Sequence, residues 1–156
     1  MPEVTLVDVP TQTVLGVQRR GHYSEIAVAL GEIVHYAMAN GAQLIGMPVS
    51  IMHELGKEAA LKADREGTAV IDVAFPIAKA VKGGDAVKCY ELVGGKFAKA
   101  VHKGPYETCE LTYNAVFEWL GKNGLQVTGP TREAYLNDPR EVKAEETLTE
   151  IYAPVD

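Results

Sequence analysis

Residues 104–124 have the sequence GPYETCELTYNAVFEWLGKNG, and residues 21–41 have the sequence GHYSEIAVALGEIVHYAMANG. The two segments align without a gap when the chain is shifted by 83 residues. Each begins with a Gly-x-Tyr triplet, continues with an apolar stripe at helical spacing, and ends in Asn-Gly, which is typical of a helix end. Each segment is therefore predicted to form an amphipathic helix, over residues 24–40 in the first copy and 106–123 in the second.

The similarity extends beyond the helices. With five residues fewer in the second loop, VAFPI at 73–77 aligns with IYAPV at 151–155. One repeat is predicted to span about 4–78 and the other about 85–156, together forming a single domain over residues 1–156. Two copies that face each other across a pseudo-two-fold axis would leave a cleft between them, and small ligands usually bind in such clefts.

Runs of β-branched and alternating apolar residues around each helix predict strands. The strands come in runs while the helices lie far apart in sequence, which indicates an α+β fold. The prediction is tandem duplicated strand-helix-strand-strand units, with a mostly antiparallel sheet, two main helices and a central cleft. Gly94-Gly95, between the predicted strands 87–93 and 96–102, predicts a two-residue β-hairpin that joins them.

Composition excludes several classes of protein. The formal net charge of −6 argues against direct nucleic-acid binding, which needs a basic face to neutralise phosphates. No apolar run of about 18 residues predicts a membrane span, and the N-terminus lacks the pattern of a signal peptide. A cytoplasmic location with reduced thiols is the expectation for the two cysteines, Cys89 and Cys109.

The sequence predicts neither a metal site nor a cofactor. The four histidines show no metal-ligand spacing and are expected on the surface or in loops. The glycine pairs have neither Walker nor dinucleotide-binding spacing, so they are predicted to be turns.

The second half carries a series of short motifs in a specific order. They are HKGPY at 102–106, Tyr113, Trp119-Leu120, Asn123-Gly124, EAY at 133–135, Asp138-Pro139 and TEIYAPV at 149–155. In this order and spacing they resemble the GyrI-like small-molecule-binding family, which includes effector-binding domains of multidrug-responsive transcription activators. The first half is similar to the family's degenerate first repeat, so the resemblance covers essentially the whole chain.

The resemblance implies a ligand cleft in which a glutamate, on the strand after the second helix, meets cationic aromatic ligands among aromatic side chains. The matching residue is Glu133, and Tyr135 lies two positions along on the same strand face. Relatives often follow a DNA-binding domain, whereas this chain is similar to a stand-alone member. Whether a separate DNA-binding protein uses it as a sensor stays open.

Glu133 is therefore the predicted electrostatic anchor for a small organic ligand, cationic or aromatic. Desolvation in a cleft would raise its pKa and make it a candidate general base; the alternative is a solvated strand glutamate. Aromatic residues suit the walls because each offers a flat apolar face. The predicted wall residues, for which core packing is the alternative, are Tyr106, Trp119, Tyr135, Tyr152, Tyr36 and Met52.

The repeat alignment predicts an asymmetric site. Glu133 matches Ser50 and Tyr135 matches Met52, so the cleft would carry one carboxylate rather than two. Two aromatic residues on the apolar stripe of the second helix are predicted to lie in the core: Tyr113 and Phe117.

Two other functions remain open. Some stand-alone relatives hydrolyse reactive cyclopropane compounds, which would make Glu133 the residue that positions or deprotonates water and a tyrosine, Tyr106, the donor to the leaving oxygen. Gyrase-inhibitor relatives suggest instead a protein-interaction module with a protein partner. The acidic charge is compatible with either function, and neither needs a membrane.

Overall fold

The described part of the chain forms eight strands and three α-helices. The computed structural model describes residues 3–54, 56–137 and 141–156, so the Asp138-Pro139 motif lies outside the described residues. The elements in chain order are β1 (Thr5–Val9), β2 (Gln12–Gly21), α1 (Glu25–Ala39), β3 (Val49–Met52), α2 (Lys57–Glu66), β4 (Ala69–Pro76), β5 (Lys88–Leu92), β6 (Gly95–Lys103), α3 (Cys109–Lys122), β7 (Thr131–Tyr135) and β8 (Leu148–Pro154).

These elements group into two compact units. The N-terminal unit is Pro10–Gly94, and the C-terminal unit is Met1–Val9 together with Gly95–Asp156. Each unit contains a strand, a helix, a strand and a strand in that order, with antiparallel pairing, which confirms the predicted α+β class.

In the N-terminal unit the strand order is β3-β4-β2-β5. One face of this sheet buries apolar side chains under α1, whose Ile33 and Ala37 share a core with Ile71 and Val73. None of the residues of α2 is buried, so this polar helix lies at the surface of the unit.

In the C-terminal unit the strand order is β1-β6-β8-β7. The helix α3 follows a 3₁₀ turn at Tyr106–Thr108 and covers one sheet face. Its Val116 and Leu120 share a core with Ala98, Ala100 and Ala153. The small alanine side chains on the strands let the helix lie close to the sheet.

The strand registers of the two units correspond. Ser50 lies opposite Val73 in the N-terminal unit, and Glu133 lies opposite Ile151 in the C-terminal unit. Isolated bridges join Leu44 to Ile77 and Val127 to Val155, which are again matching positions. The predicted equivalence of Ser50 and Glu133 therefore holds for the backbone pairing.

The predicted hairpin at Gly94-Gly95 is wrong. The strand before it, β5, pairs with β2 in a register that joins Gln12 to Leu92, and the strand after it, β6, pairs with β1 in a register that joins Val9 to Gly95. The boundary between the two units falls between the two glycines. A glycine pair permits the chain to change direction, but it does not dictate that the flanking strands pair with each other.

Both predicted helix ends are confirmed. Gly41 and Gly124 follow the caps of α1 and α3, and each has a φ of 67°, a left-handed conformation that suits glycine. Among the described residues, no helix is long and apolar enough to cross a membrane.

Candidate functional site

Glu133 lies on β7, which pairs with β8 and comes last in the strand order of the C-terminal unit. Side chains of directly paired residues share a face of the sheet, and residues two apart on a strand do too. Glu133 therefore shares a face with Tyr135 and with Ile151, the residue opposite it. This is the face that α3 covers, because Tyr113 of α3 contacts the Glu133 carboxylate.

Two phenol groups donate hydrogen bonds to the Glu133 carboxylate. The Tyr113 hydroxyl donates to Oε2 in a short hydrogen bond. The Tyr135 hydroxyl lies 3.4 Å from Oε1, at the long limit of such a bond. Both carboxylate oxygens thus have a donor, and the donor from the helix is the closer one.

The environment of Glu133 opposes its ionisation. Burial raises the pKa of the Glu133 carboxyl above its ordinary value, while the hydrogen bonds from Tyr113 and Tyr135 and the nearby His102 imidazole act in the opposite direction. The pKa of Tyr113 is also raised, first by burial and then by the negative charge of Glu133. Tyr113 therefore stays protonated and remains a hydrogen-bond donor at neutral pH.

Each of the two tyrosines that contact this carboxylate packs against a further aromatic ring. The rings of Tyr106 and Tyr135 meet edge to face, with centroids 5.8 Å apart, and those of Tyr113 and Phe117 stack at 6.2 Å. Tyr106 is 41% exposed and Phe117 is 43% exposed, so solvent reaches the outer rings. We call Glu133 with Tyr106, Tyr113, Phe117 and Tyr135 the Glu133 site.

His102 lies beside this site and is only 5% exposed, so the prediction of a surface or loop position is wrong for it. The physical reason is that its ring has hydrogen-bond partners inside the unit. Nδ1 lies 2.7 Å from the Thr112 hydroxyl, and Nε2 lies 3.1 Å from the Pro105 carbonyl and 3.0 Å from the Thr108 hydroxyl. A buried imidazole is stable when both nitrogens are satisfied in this way.

Two predicted wall residues of the same unit lie elsewhere. Tyr152 pairs with Arg132, the neighbour of Glu133, so its side chain lies on the opposite sheet face. There its hydroxyl donates to Glu150, and the pKa of Tyr152 is raised first by burial and then by this contact. Trp119 is partly buried and packs against the apolar core of the unit. The structure brings neither residue together with Glu133.

The other two predicted wall residues belong to the N-terminal unit. The Tyr36 ring packs against that unit's core, and its hydroxyl donates to the Lys82 carbonyl over 2.6 Å. Met52 is partly buried, and its sulfur accepts a hydrogen bond from Ser50 at 3.4 Å. The participation of Tyr36 and Met52 in a ligand site stays a prediction.

The sequence prediction missed Tyr113 and Phe117 as members of the site. Phe117 was expected in the core, and that prediction is wrong because its ring is largely exposed and stacks on Tyr113. The repeat alignment contained a usable signal. The matching positions in α1 are aliphatic, Leu30 and Val34, so aromatic residues appear only in the copy that carries Glu133.

The arrangement suits an organic cation better than a metal ion. Among residues 3–54, 56–137 and 141–156, no cluster of three or more histidine, cysteine, aspartate or glutamate side chains has the geometry to bind a metal. A single partly buried carboxylate beside aromatic faces offers one charge and a large polarisable surface, which is what a bulky cation with rings needs.

The sequence profile of the GyrI-like small molecule binding domain matches residues 2–156. The chain belongs to the GyrI-like family. None of the curated proteins matches it significantly. The family resemblance seen in the motifs is thus confirmed.

Solved structures share the fold of this GyrI-like domain. EcmrR in its complex with DNA is 20% identical with a TM-score of 0.84, and the match covers 99% of this chain but only 57% of that one. A hydrolase from Listeria innocua is 15% identical, with a TM-score of 0.72 and coverage of 99% and 92%. SAV2435 bound to tetraphenylphosphonium is 15% identical, with a TM-score of 0.60 and coverage of 99% and 94%. At these identities the likeness establishes the fold alone.

Proposed function

We propose that this GyrI-like domain binds organic cations that carry aromatic rings, with Glu133 as the electrostatic anchor. The observation that carries the proposal is the placement of one partly buried carboxylate among four aromatic rings, two of them well exposed. A carboxylate out of bulk water attracts a cation more strongly than an exposed one, and the ring faces add cation–π attraction.

The raised pKa of Glu133 sharpens this proposal. A bound cation favours the charged carboxylate, so binding lowers the pKa of Glu133 and releases a proton wherever the free site is protonated. Cation affinity is therefore expected to increase with pH until the free carboxyl is fully ionised. A neutral ligand should show no such dependence.

Calorimetric titration with tetraphenylphosphonium and with triphenylphosphine oxide, a neutral analogue, tests the proposal. Glu133→Gln should weaken tetraphenylphosphonium binding by about tenfold to a hundredfold, because two opposite unit charges roughly 6–8 Å apart attract by about 2–3 kcal/mol near a protein surface. Binding of the neutral compound should change little. The matched control is Glu118→Gln, which removes an exposed carboxylate from α3. Equal losses for the cation and the neutral compound in Glu133→Gln would remove the electrostatic role.

A regulatory setting is part of the proposal. The chain spans 57% of the EcmrR chain that was solved with DNA, so EcmrR contains residues beyond the matched part. We place the present domain as a multidrug-type ligand-binding module whose effect reaches DNA only through another protein or domain. The net charge of −6 supports a role without direct nucleic-acid contact.

Hydrolysis of strained, cyclopropane-type electrophiles is the second candidate, favoured by the direct contact between Tyr113 and Glu133. Glu133 would take a proton from water as the water oxygen bonds to a ring carbon. The ring bond to that carbon would break, and its electron pair would pass to a conjugated carbonyl oxygen stabilised by a tyrosine hydrogen bond. Tyr106 keeps the tyrosine role, because the single hydroxyl hydrogen of Tyr113 is already donated to the Glu133 carboxylate. Product formed in molar excess over the protein, and lost in Glu133→Gln, would establish turnover.

A further inference from the structure

The imidazole of His102 connects the two parts of the chain that carry the tyrosines of the Glu133 site. The Pro105 carbonyl can only accept a hydrogen bond, so Nε2 of His102 carries the hydrogen and donates it. Nδ1 is then free to accept from the Thr112 hydroxyl, 2.7 Å away. An imidazole with its hydrogen on Nε2 satisfies all of these contacts.

Two of the three partners of this ring are next in sequence to a tyrosine of the site. Pro105 immediately precedes Tyr106, and Thr112 immediately precedes Tyr113. His102 therefore fixes, from β6, both the turn that carries Tyr106 and the first turn of α3 that carries Tyr113. In the sheet, His102 lies opposite Thr149, which in turn lies opposite Tyr135. The ring thus lies in the row of paired residues next to the row that contains Glu133.

The N-terminal unit makes the same connection with a charged side chain. The residue that matches His102 is Arg19, and it forms ion pairs with α1 through Glu25 at 3.7 Å and Glu32 at 2.7 Å. Glu25 matches Thr108, which is one of the partners of His102. Both units therefore tie the start of the helix to the strand before it at this position, the N-terminal unit through the guanidinium of Arg19 and the C-terminal unit through the imidazole of His102.

We propose that His102 is a positioning residue of the Glu133 site, a tether without the permanent charge of an arginine, which fixes Tyr106 and Tyr113 and leaves the negative charge of Glu133 available to a cationic ligand. This inference rests on the proposed function. A permanent positive charge at this position would act as an internal partner for Glu133 and would compete with the ligand. Consistent with this closeness, a positive charge on His102 would lower the pKa of Glu133.

Substitutions at His102 and at its partners test two effects separately: the loss of the hydrogen bonds that fix the tyrosines, and the addition of a positive charge. Thr108→Val and Thr112→Val each remove a hydroxyl that the ring contacts, and both leave Glu133 and the tyrosines in place. His102→Gln keeps an uncharged polar side chain, whereas His102→Arg introduces the residue found at the matching position of the N-terminal unit. Thermal unfolding identifies any variant that fails to fold.

The affinities for tetraphenylphosphonium and triphenylphosphine oxide are the first readout. Loss of the tether should weaken the binding of both compounds to Thr112→Val and to His102→Gln, by up to about tenfold. His102→Arg should weaken the binding of the cation more than the binding of the neutral compound. A purely structural role would not produce this difference. If Thr108→Val and Thr112→Val both fold and both bind the two compounds with affinities within about twofold of wild type, the proposed tether is overturned as a positioning device.

A second readout needs no ligand. Titration of the Glu133 carboxyl carbon by NMR should give a lower pKa in His102→Arg than in wild type and in His102→Gln. An unchanged titration overturns the part of the inference that concerns charge. If the wild-type protein does not bind tetraphenylphosphonium, or Glu133→Gln binds it equally well, the proposed function fails, whereas the carboxyl titration still decides the role of His102.

Discussion

The two units use the same strand registers but different side chains at a few matching positions. Where the C-terminal unit has Glu133 and Tyr135, the N-terminal unit has Ser50 and Met52. Where α3 presents Tyr113 and Phe117, α1 presents the aliphatic residues of the same stripe. A carboxylate and its phenol donors thus occur together in one unit and are absent together from the matching positions of the other.

This difference shows that the fold and the chemistry depend on different residues. The apolar core positions under the helices, such as Val73 and Ile151, are apolar in both units and keep the pairing. Glu133 is tolerated on the same sheet face only because Tyr113 and Tyr135 donate to it. Substitutions of the buried polar side chains test this difference between the units.

The largest effect is expected from Ser50→Glu. Ser50 is buried, and the matching partner on α1 is Leu30 rather than a tyrosine, so a glutamate there would lack its phenol donor. An unpaired buried charge should cost about 3–5 kcal/mol of the free energy of unfolding at neutral pH. Urea denaturation measures this loss, which should shrink at pH about 4, where the new carboxyl is protonated.

The control for that experiment is Ser50→Ala, which changes the size of the side chain without adding charge. If Ser50→Ala destabilises the protein as much as Ser50→Glu does, the burial of charge is not the cause. Adding Leu30→Tyr to Ser50→Glu should recover part of the loss, since it supplies the missing donor.

Tyr113→Phe should have the next largest effect. It removes the closer donor to Glu133, and leaving a buried charge short of a partner costs about 1–3 kcal/mol where the carboxylate is ionised. The pKa of Glu133 should rise further, as NMR titration of its carboxyl carbon would report. Tyr135→Phe is the matched comparison and should cost less, because its hydrogen bond is 3.4 Å long. A larger effect from Tyr135 would contradict the assignment of Tyr113 as the main donor.

The dependence of stability on pH is expected to differ between wild type and Glu133→Gln. Because burial raises the pKa of Glu133, the folded state binds more protons than the unfolded state between the unfolded and folded pKa values. The free energy of unfolding of the wild type should therefore fall as pH rises through that window, by about 1.4 kcal/mol for each unit of difference. Glu133→Gln should lack this fall when urea unfolding is measured across pH; an identical pH profile would show that Glu133 titrates normally.

Thr149→Val should give the smallest effect and the opposite sign. Thr149 is fully buried, and its hydroxyl oxygen has no hydrogen-bond partner in the described part of the chain; the matching residue is Ile71. Removing an unsatisfied hydroxyl without changing the volume should raise the free energy of unfolding by about 1 kcal/mol. Denaturant midpoints would show this. A loss of stability would mean that the hydroxyl is satisfied in solution.

The architecture could be predicted from the sequence because it depends on periodicity. The helical stripes, the glycines at positions 41 and 124, and the alternation in the strands are local, and the shift of 83 residues also gave the equivalence of Ser50 and Glu133. The strands that pair with β5 and with β6 could not be predicted, because a turn signal at Gly94-Gly95 carries no information about distant strands.

The candidate site was predicted in part. Glu133, Tyr135 and Tyr106 came from the family motifs, and the structure brings the first two into hydrogen-bond contact and the last two into ring contact. Tyr113 was missed because a tyrosine on an apolar stripe has the same pattern as a core residue. The burial of His102 was missed because its partners lie on the following turn and helix, and their contact depends on how that helix packs.

The pairing of β1 with β6 has a consequence for the order in which the protein folds during synthesis. The N-terminal unit is continuous in sequence, so all of its strands are available once Gly94 has been made. The first strand, by contrast, belongs to the unit that is completed last, and its partner begins at Gly95. The partner of β1 is therefore made only after the strands of the N-terminal unit, and removing β1 should weaken the unit that carries Glu133 rather than the one that directly follows β1.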